Sequence, residues 1–142
     1  MARVEIEMIE NFVFETELAV RVTDTNYAKH VGNDTFLTLI NEARVRFLNN
    51  FGFSEENIDS RAIIISDLAV LYKSQSVYGD KLKFEIGAGD FTKHGCDIFY
   101  RVTNTKNNTL VILAKTGIVF FDYDKNKITT TPEAFSSLFL NS

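Results

Sequence analysis

The chain has 142 residues, 45% of them hydrophobic and 24% charged, a length and balance that suit one domain with a full apolar core. The formal net charge of −4 and a pI near 5.2 exclude the broad basic field that general nucleic-acid binding needs. A single cysteine, Cys96, excludes an intrachain disulfide, the charged start "MARVEIEMIE" is not a signal peptide, and no apolar run approaches the ~18 residues of a membrane helix, so the expected location is the cytoplasm.

Residues 12–22, "FVFETELAVRV", mix aromatic and β-branched residues with polar ones and read as a strand. A polar segment follows, "RVTDTNYAKHVGNDTFL" over 21–37, which gathers Asp24, Asn26, His30, Asn33 and Asp34. The next stretch, "DTFLTLINEARVRFLNNFG", has helical periodicity. Phe36, Ile40, Ala43, Phe47 and Phe51 share one face with Leu39 beside them, and Leu37 and Leu48 widen it. A helix so apolar is expected to be buried on more than one side, with Asn33 or Asp34 as its N-cap and Gly52 as its C′ residue.

Beyond residue 60 the pattern is β. "RAIIISDLAVLYKSQ" reads as one long strand. "KLKFEIGAGDF" alternates Leu82, Phe84, Ile86 and Ala88 with period two. Gly87 and Gly89 read as places where the sheet bends, with close approach of a ligand as the alternative. "CDIFYRVTN" and "TLVILAKTGIVFFDYD" follow, joined by a turn at Asn107–Asn108, and "TPEAFSSLFL" predicts a short helix with Pro132 in its first turn. With no helices between the later strands, their neighbours are antiparallel hairpins and the class is α+β. A five-stranded sheet curled around one long helix, in a single domain over 1–142, is the simplest architecture. The apolar excess of the helix predicts a dimer.

Several short motifs in this order carry a resemblance: "DTN" at 24–26, "KHVGN" at 29–33, "EAR" at 42–44, "YKSQSVYGDKLKF" at 72–84, "TKHGCDIFYRV" at 92–102 and "VFFDYDKNK" at 119–127. Together they resemble the hotdog-fold thioesterases of the 4-hydroxybenzoyl-CoA thioesterase-like group. That group carries Asp-Thr-Asp after its first strand, then Gly-His-Val-Asn-Asn, then a helix with Glu-x-Ala-Arg. The resemblance implies a homodimer, often paired into a homotetramer. It also implies hydrolysis of an acyl-CoA or acyl-carrier-protein thioester at the dimer interface, near the N-terminus of the central helix. No separate cofactor is implied, since coenzyme A enters as part of the substrate.

Thioester hydrolysis needs a carboxylate to attack or to activate water, and donors for the oxyanion. The backbone at 32–35, opening the helix, suits the second task, and the resemblance puts a donor near Asn33. The first task has no obvious owner. Aligning the motifs sets Asp24 on the family's first Asp and Asn26 on the second, the usual catalytic one, and an amide is no base. Lys29 stands where the motif has Gly, and Gly32 where it has the first Asn of the pair. Asp24, Asp34 and Glu42 are the substitute carboxylates. Each has an ordinary structural role as well: an Asx-turn for Asp24, a helix-start charge for Asp34, an i+4 pair with Arg46 for Glu42. His30 is either a proton-carrying group of the site or a hydrogen-bonded loop residue.

At the coenzyme end, Lys93 and His94, and secondarily Lys73, are candidates to hold phosphates, as relatives use basic residues at that place. Cys96 reads as a small core residue. Two histidines and one cysteine, widely spaced, form no metal-site pattern. Two rival readings stand beside the thioesterase. The (R)-specific enoyl-CoA hydratases use Asp-x-Asn-Pro-x-His, which "DTNYAKH" approaches with one residue too many and no Pro. A non-catalytic acyl-binding module accommodates Asn26 without strain.

Overall fold

The computed structural model describes residues 3–139. Strands β1 (Phe14–Ala19), β2 (Ala62–Tyr72), β3 (Lys81–Gly89), β4 (Gly95–Asn104) and β5 (Thr109–Asp122) form one antiparallel sheet in the order β1-β3-β4-β5-β2. A two-residue strand, β6 (Lys127–Ile128), adds to the end of β5. Helix α1 (Asn33–Asn50) lies against the concave face, and a single turn of helix, α2 (Glu133–Ser136), starts after Pro132. This is the α+β arrangement expected, five antiparallel strands around one long helix, with β6 as an addition too short to leave a pattern in sequence. The first strand is shorter than 12–22 because the chain turns away at Val20, whose N–H bonds to the Asp80 carbonyl, and then forms a single 3-10 turn, Val22–Asp24.

The period-two residues of β3 and β4 face α1. Leu82, Phe84, Ile86, Ile98, Tyr100 and Val102 are all fully buried. They meet Phe36, Ile40, Ala43 and Phe47 from the helix, and the periodicity that predicted this face is the one that packs. Phe135 and Phe139 close the core from the C-terminal side, their rings 5.0 Å apart and Phe139 6.0 Å from Phe47.

One polar residue enters this interior. Arg44 is 4% exposed. It donates from Nη1 to Tyr100 Oη at 3.2 Å, from Nη2 to Asn41 Oδ1 at 2.7 Å and from Nε to Glu55 Oε1 at 3.3 Å. Tyr100 Oη in turn lies 2.8 Å from Thr116 Oγ1. A buried guanidinium is tolerable only when it is hydrogen-bonded, and this network gives each of the three Arg44 nitrogens a partner.

The outer face is crossed by the N-terminal segment. A Cβ on Gly87 would sit 2.5 Å from Ile9 Cδ1 and 2.9 Å from the Asn11 carbonyl oxygen, and one on Gly89 would sit 3.1 Å from Ile9 Cγ2. These glycines therefore permit close approach of the chain's own N-terminal segment rather than bending of the sheet, which corrects the reading from sequence.

The two edges of the sheet differ. β1 has six residues, with Glu15 and Glu17 exposed. β2 has eleven. α1 lies nearest β1 and β3, so the concave side of β2 is left partly uncovered. A bulge between Ile65 and Asp67 shifts the strand's phase. As a result Ile65, Leu68 and Tyr72, opposite Ile118, Thr116 and Ile112, share that side and are 38%, 43% and 43% exposed.

Candidate active site

The segment between β1 and α1 folds back on itself. Thr25 pairs with Val31, the Asn26 N–H donates to the His30 carbonyl at 2.8 Å, and the Lys29 N–H to the Asn26 carbonyl at 2.9 Å. Asn26 Oδ1 accepts the Ala28 N–H at 2.9 Å, an Asx-type turn. The reversal requires a left-handed residue, supplied by Lys29 at φ 67°, a conformation that favours glycine. His30 pairs with Val77, and the Val31 N–H bonds to the Ser76 carbonyl at 2.9 Å, which clips the loop to the segment after β2.

The loop delivers the chain to Gly32, the N-cap of α1 at φ −67° and ψ 151°. Neither Asn33 nor Asp34 caps the helix, as the sequence had suggested; both already lie within it, and Gly32 has no side chain to cap with. The first helical bond runs from the Phe36 N–H to the Gly32 carbonyl at 3.1 Å. The N–H groups of Asn33, Asp34 and Thr35 are thus without an intrahelical partner.

A cleft of about 410 Å³ opens here, lined by Asn26, Ala28, His30, Val31, Asn33, Phe36 and by Tyr72 to Gln75 at the end of β2. Tyr72 Oη donates to the Asn33 carbonyl at 3.0 Å, and its ring lies 6.0 Å from that of Phe36. Burial pushes the Tyr72 hydroxyl pKa up, with the charge of Asp34 adding to it.

Of the residues singled out in the sequence, the fold gathers Asn26, His30, Asn33 and Lys73 around this cleft, with Asp34 beside it in the first turn of α1. Asp24 is not among them. It is 4% exposed, and both its oxygens are held by Arg21, from the backbone N–H at 2.8 Å, Nε at 3.3 Å and Nη2 at 3.1 Å. Burial alone would raise its pKa, but the Arg21 hydrogen bonds and charge outweigh burial and hold the carboxyl below its ordinary value. Glu42 faces away as well. It accepts from Arg46 Nε at 2.9 Å, and Arg46 Nη1 donates to Thr16 Oγ1 and the Glu17 carbonyl of β1.

Lys93 and His94 lie in the β3–β4 turn, where His94 Nδ1 is 3.0 Å from the Thr129 carbonyl oxygen. That turn is at the opposite end of the sheet. Gly95 pairs with Val119, Val119 with Ile64, and the distance along β2 from Ile64 to Tyr72 is about 26 Å. Cys96 is buried, and burial, with the Asp97 charge, pushes its thiol pKa far up, so it is inert as expected.

A family model described as the thioesterase-like superfamily matches residues 20–139. The chain belongs to the thioesterase-like superfamily. The fold agrees with solved thioesterases. A 1,4-dihydroxy-2-naphthoyl-CoA thioesterase from Synechocystis is 21% identical, with 91% of this chain and 98% of that one covered at a TM-score of 0.81. A DHNA-CoA thioesterase from Staphylococcus aureus is 21% identical, over 87% and 84%, at 0.74. A gentisyl-coenzyme A thioesterase is 13% identical, over 89% and 99%, at 0.77. None of the curated protein sequences compared matches the chain.

Within this thioesterase-like chain, the sequence reading missed Tyr72 as a residue lining the cleft and assigned Phe36 to the core alone. Tyr72 left a usable signal, an aromatic with a polar tip closing a strand immediately before the candidate Lys73. Among the described residues no helix is long and apolar enough to cross a membrane.

Proposed function

We propose that this chain hydrolyses the thioester of an acyl-CoA, or of an acyl-carrier protein, to a free acid and a thiol, in a cleft completed by a second copy of the chain. The observation that carries this reading is the open start of α1, whose first three amides are uncapped beside the cleft in a member of a thioesterase-like family. A thioester carbonyl oxygen seated there meets N–H donors and the positive end of the helix dipole. As water adds to the carbonyl carbon, negative charge develops on that oxygen. Losing one such donor typically costs about 10²–10³ in rate. Asn26 and His30 stand where they can orient water or substrate, and Phe36 and Tyr72 offer an apolar wall to the acyl group.

The partly uncovered concave side of β2 supports the second copy. Antiparallel pairing of two β2 edges would remove Ile65, Leu68 and Tyr72 from water and relate the two protomers by a two-fold axis. It would also bring the partner's Lys93 and the partner's His94 toward the end of the sheet where the cleft lies, and with Lys73 they would form a basic border for the coenzyme phosphates.

A binding module without turnover has one observation in its favour: none of the residues lining the cleft is an Asp or Glu. One assay separates the readings. The purified protein is given a panel of acyl-CoAs with a thiol-reactive dye. Thiol release above background supports hydrolysis. Saturable binding without release supports the module. Hydration of crotonyl-CoA without thiol release points to the hydratase.

A further inference from the structure

Gly32 occupies ordinary extended backbone that any residue adopts, so its lack of a side chain is not a conformational requirement. Glycine is a common N-cap residue, but unlike Ser, Thr, Asp or Asn it has no side chain to bond to the first amides. What the glycine leaves is space. A Cβ at position 32 would lie 2.7 Å from Asp34 Oδ1, 3.6 Å from Thr35 Oγ1 and 3.9 Å from Asn26 Nδ2. A carboxylate, a hydroxyl and an amide therefore converge on the gap, at the mouth of the uncapped helix.

The Asp34 carboxylate is exposed and forms no ion pair or hydrogen bond among the described residues. Its charge is nonetheless felt by Tyr72, which lines the cleft. The other two carboxylates near the loop are engaged, Asp24 with Arg21 and Glu42 with Arg46.

We infer that Asp34 is the general base of the site and that Gly32 is the positioning residue whose missing side chain lets the Asp34 carboxylate fold back to the helix mouth. The inference rests on the thioesterase reading. Asp34 takes a proton from water as the water oxygen bonds to the thioester carbon. The carbonyl π electrons move onto oxygen, facing the free amides. The intermediate collapses by re-forming C=O and breaking C–S, and the leaving thiolate receives the proton from the Asp34 carboxylic acid. Asn26 and Thr35 supply hydrogen-bonding groups for the attacking water.

The test is a set of three variants, Asp34→Asn, Gly32→Ala and the double variant, assayed on the best acyl-CoA of the panel, with thermal melts to show that each is folded. Asp34→Asn is expected to lower kcat by about 10²–10⁴ with KM little changed. Gly32→Ala displaces only the end of a flexible side chain. It is expected to remain folded and to lower kcat about tenfold, in keeping with the rate loss that misplacing a catalytic group brings. Because both changes act through one carboxylate, the double variant should be no slower than Asp34→Asn alone. An Asp34→Asn variant with kcat within twofold of the parent overturns the inference and leaves the thioesterase reading standing. Multiplicative losses in the double variant overturn the role of Gly32. A parent protein that releases no thiol from any ester overturns both the reading and the inference.

Discussion

Tyr100 shows what one hydroxyl contributes in this interior. It is fully buried, and its oxygen serves Arg44 and Thr116 together. Tyr100→Phe preserves the ring's packing but leaves a guanidinium N–H and a hydroxyl without that partner, in a place water does not reach. The expected loss is about 1–3 kcal/mol, read from denaturant melts of both proteins. Asp24 provides a second test, in pH. Its folded pKa lies below the unfolded value of about 4. Between the two pKa values the unfolded chain holds the proton and the native chain does not, so acid favours unfolding there. The stabilisation is complete above pH ~4 and disappears as pH falls through the folded pKa. The melting temperature of Asp24→Asn should therefore trail the parent most at neutral pH, and the gap should shrink in acid. A gap that stays constant with pH would assign the loss to packing.

At the scale of elements, α1 is defined at its far end by Gly52, φ +82°. The Gly52 N–H bonds to the Asn49 carbonyl at 3.0 Å and the Phe53 N–H to the Leu48 carbonyl at 2.9 Å, the paired bonds of a Schellman cap. Nothing lies within 4 Å of a Cβ at this position, so Gly52→Ala tests conformation alone. It should destabilise by about 1–2 kcal/mol and leave thioester turnover unchanged below the melting range. This end of the helix was legible because a glycine after the last periodic apolar residue is a local signal, and the buried face was legible because 3.6-residue periodicity is one too. The start was not, because the role of Gly32 depends on where the Asp34 side chain goes. Arg44 was hidden for a similar reason: its partners Tyr100 and Thr116 are distant in sequence. The loop was singled out as a candidate site from its motif, but sorting its carboxylates needed the Arg21 and Arg46 contacts that only the fold supplies.

For the whole molecule, the open question raised by the proposed function is association. The concave side of β2 holds Ile65 and Leu68 partly exposed, and a buried charge there lacks a partner. Leu68→Glu should shift the proposed dimer toward monomer by tenfold or more in Kd, as a cost of about 1.4 kcal/mol or greater implies, and thiol release should fall with it. Sedimentation at matched concentrations checks the first part; an unchanged dimer would remove β2 from the interface. The unequal edges of the sheet have a further consequence. A strand edge that offers free N–H and C=O groups invites addition without limit, which is the route to fibres. In the proposed dimer the long apolar edge would pair with its own kind through a two-fold axis, and each pair would then present only β1 at its ends, short and lined by Glu15 and Glu17. Growth along the sheet would stop after that single step. The same asymmetry that would complete the cleft would also work against polymerisation.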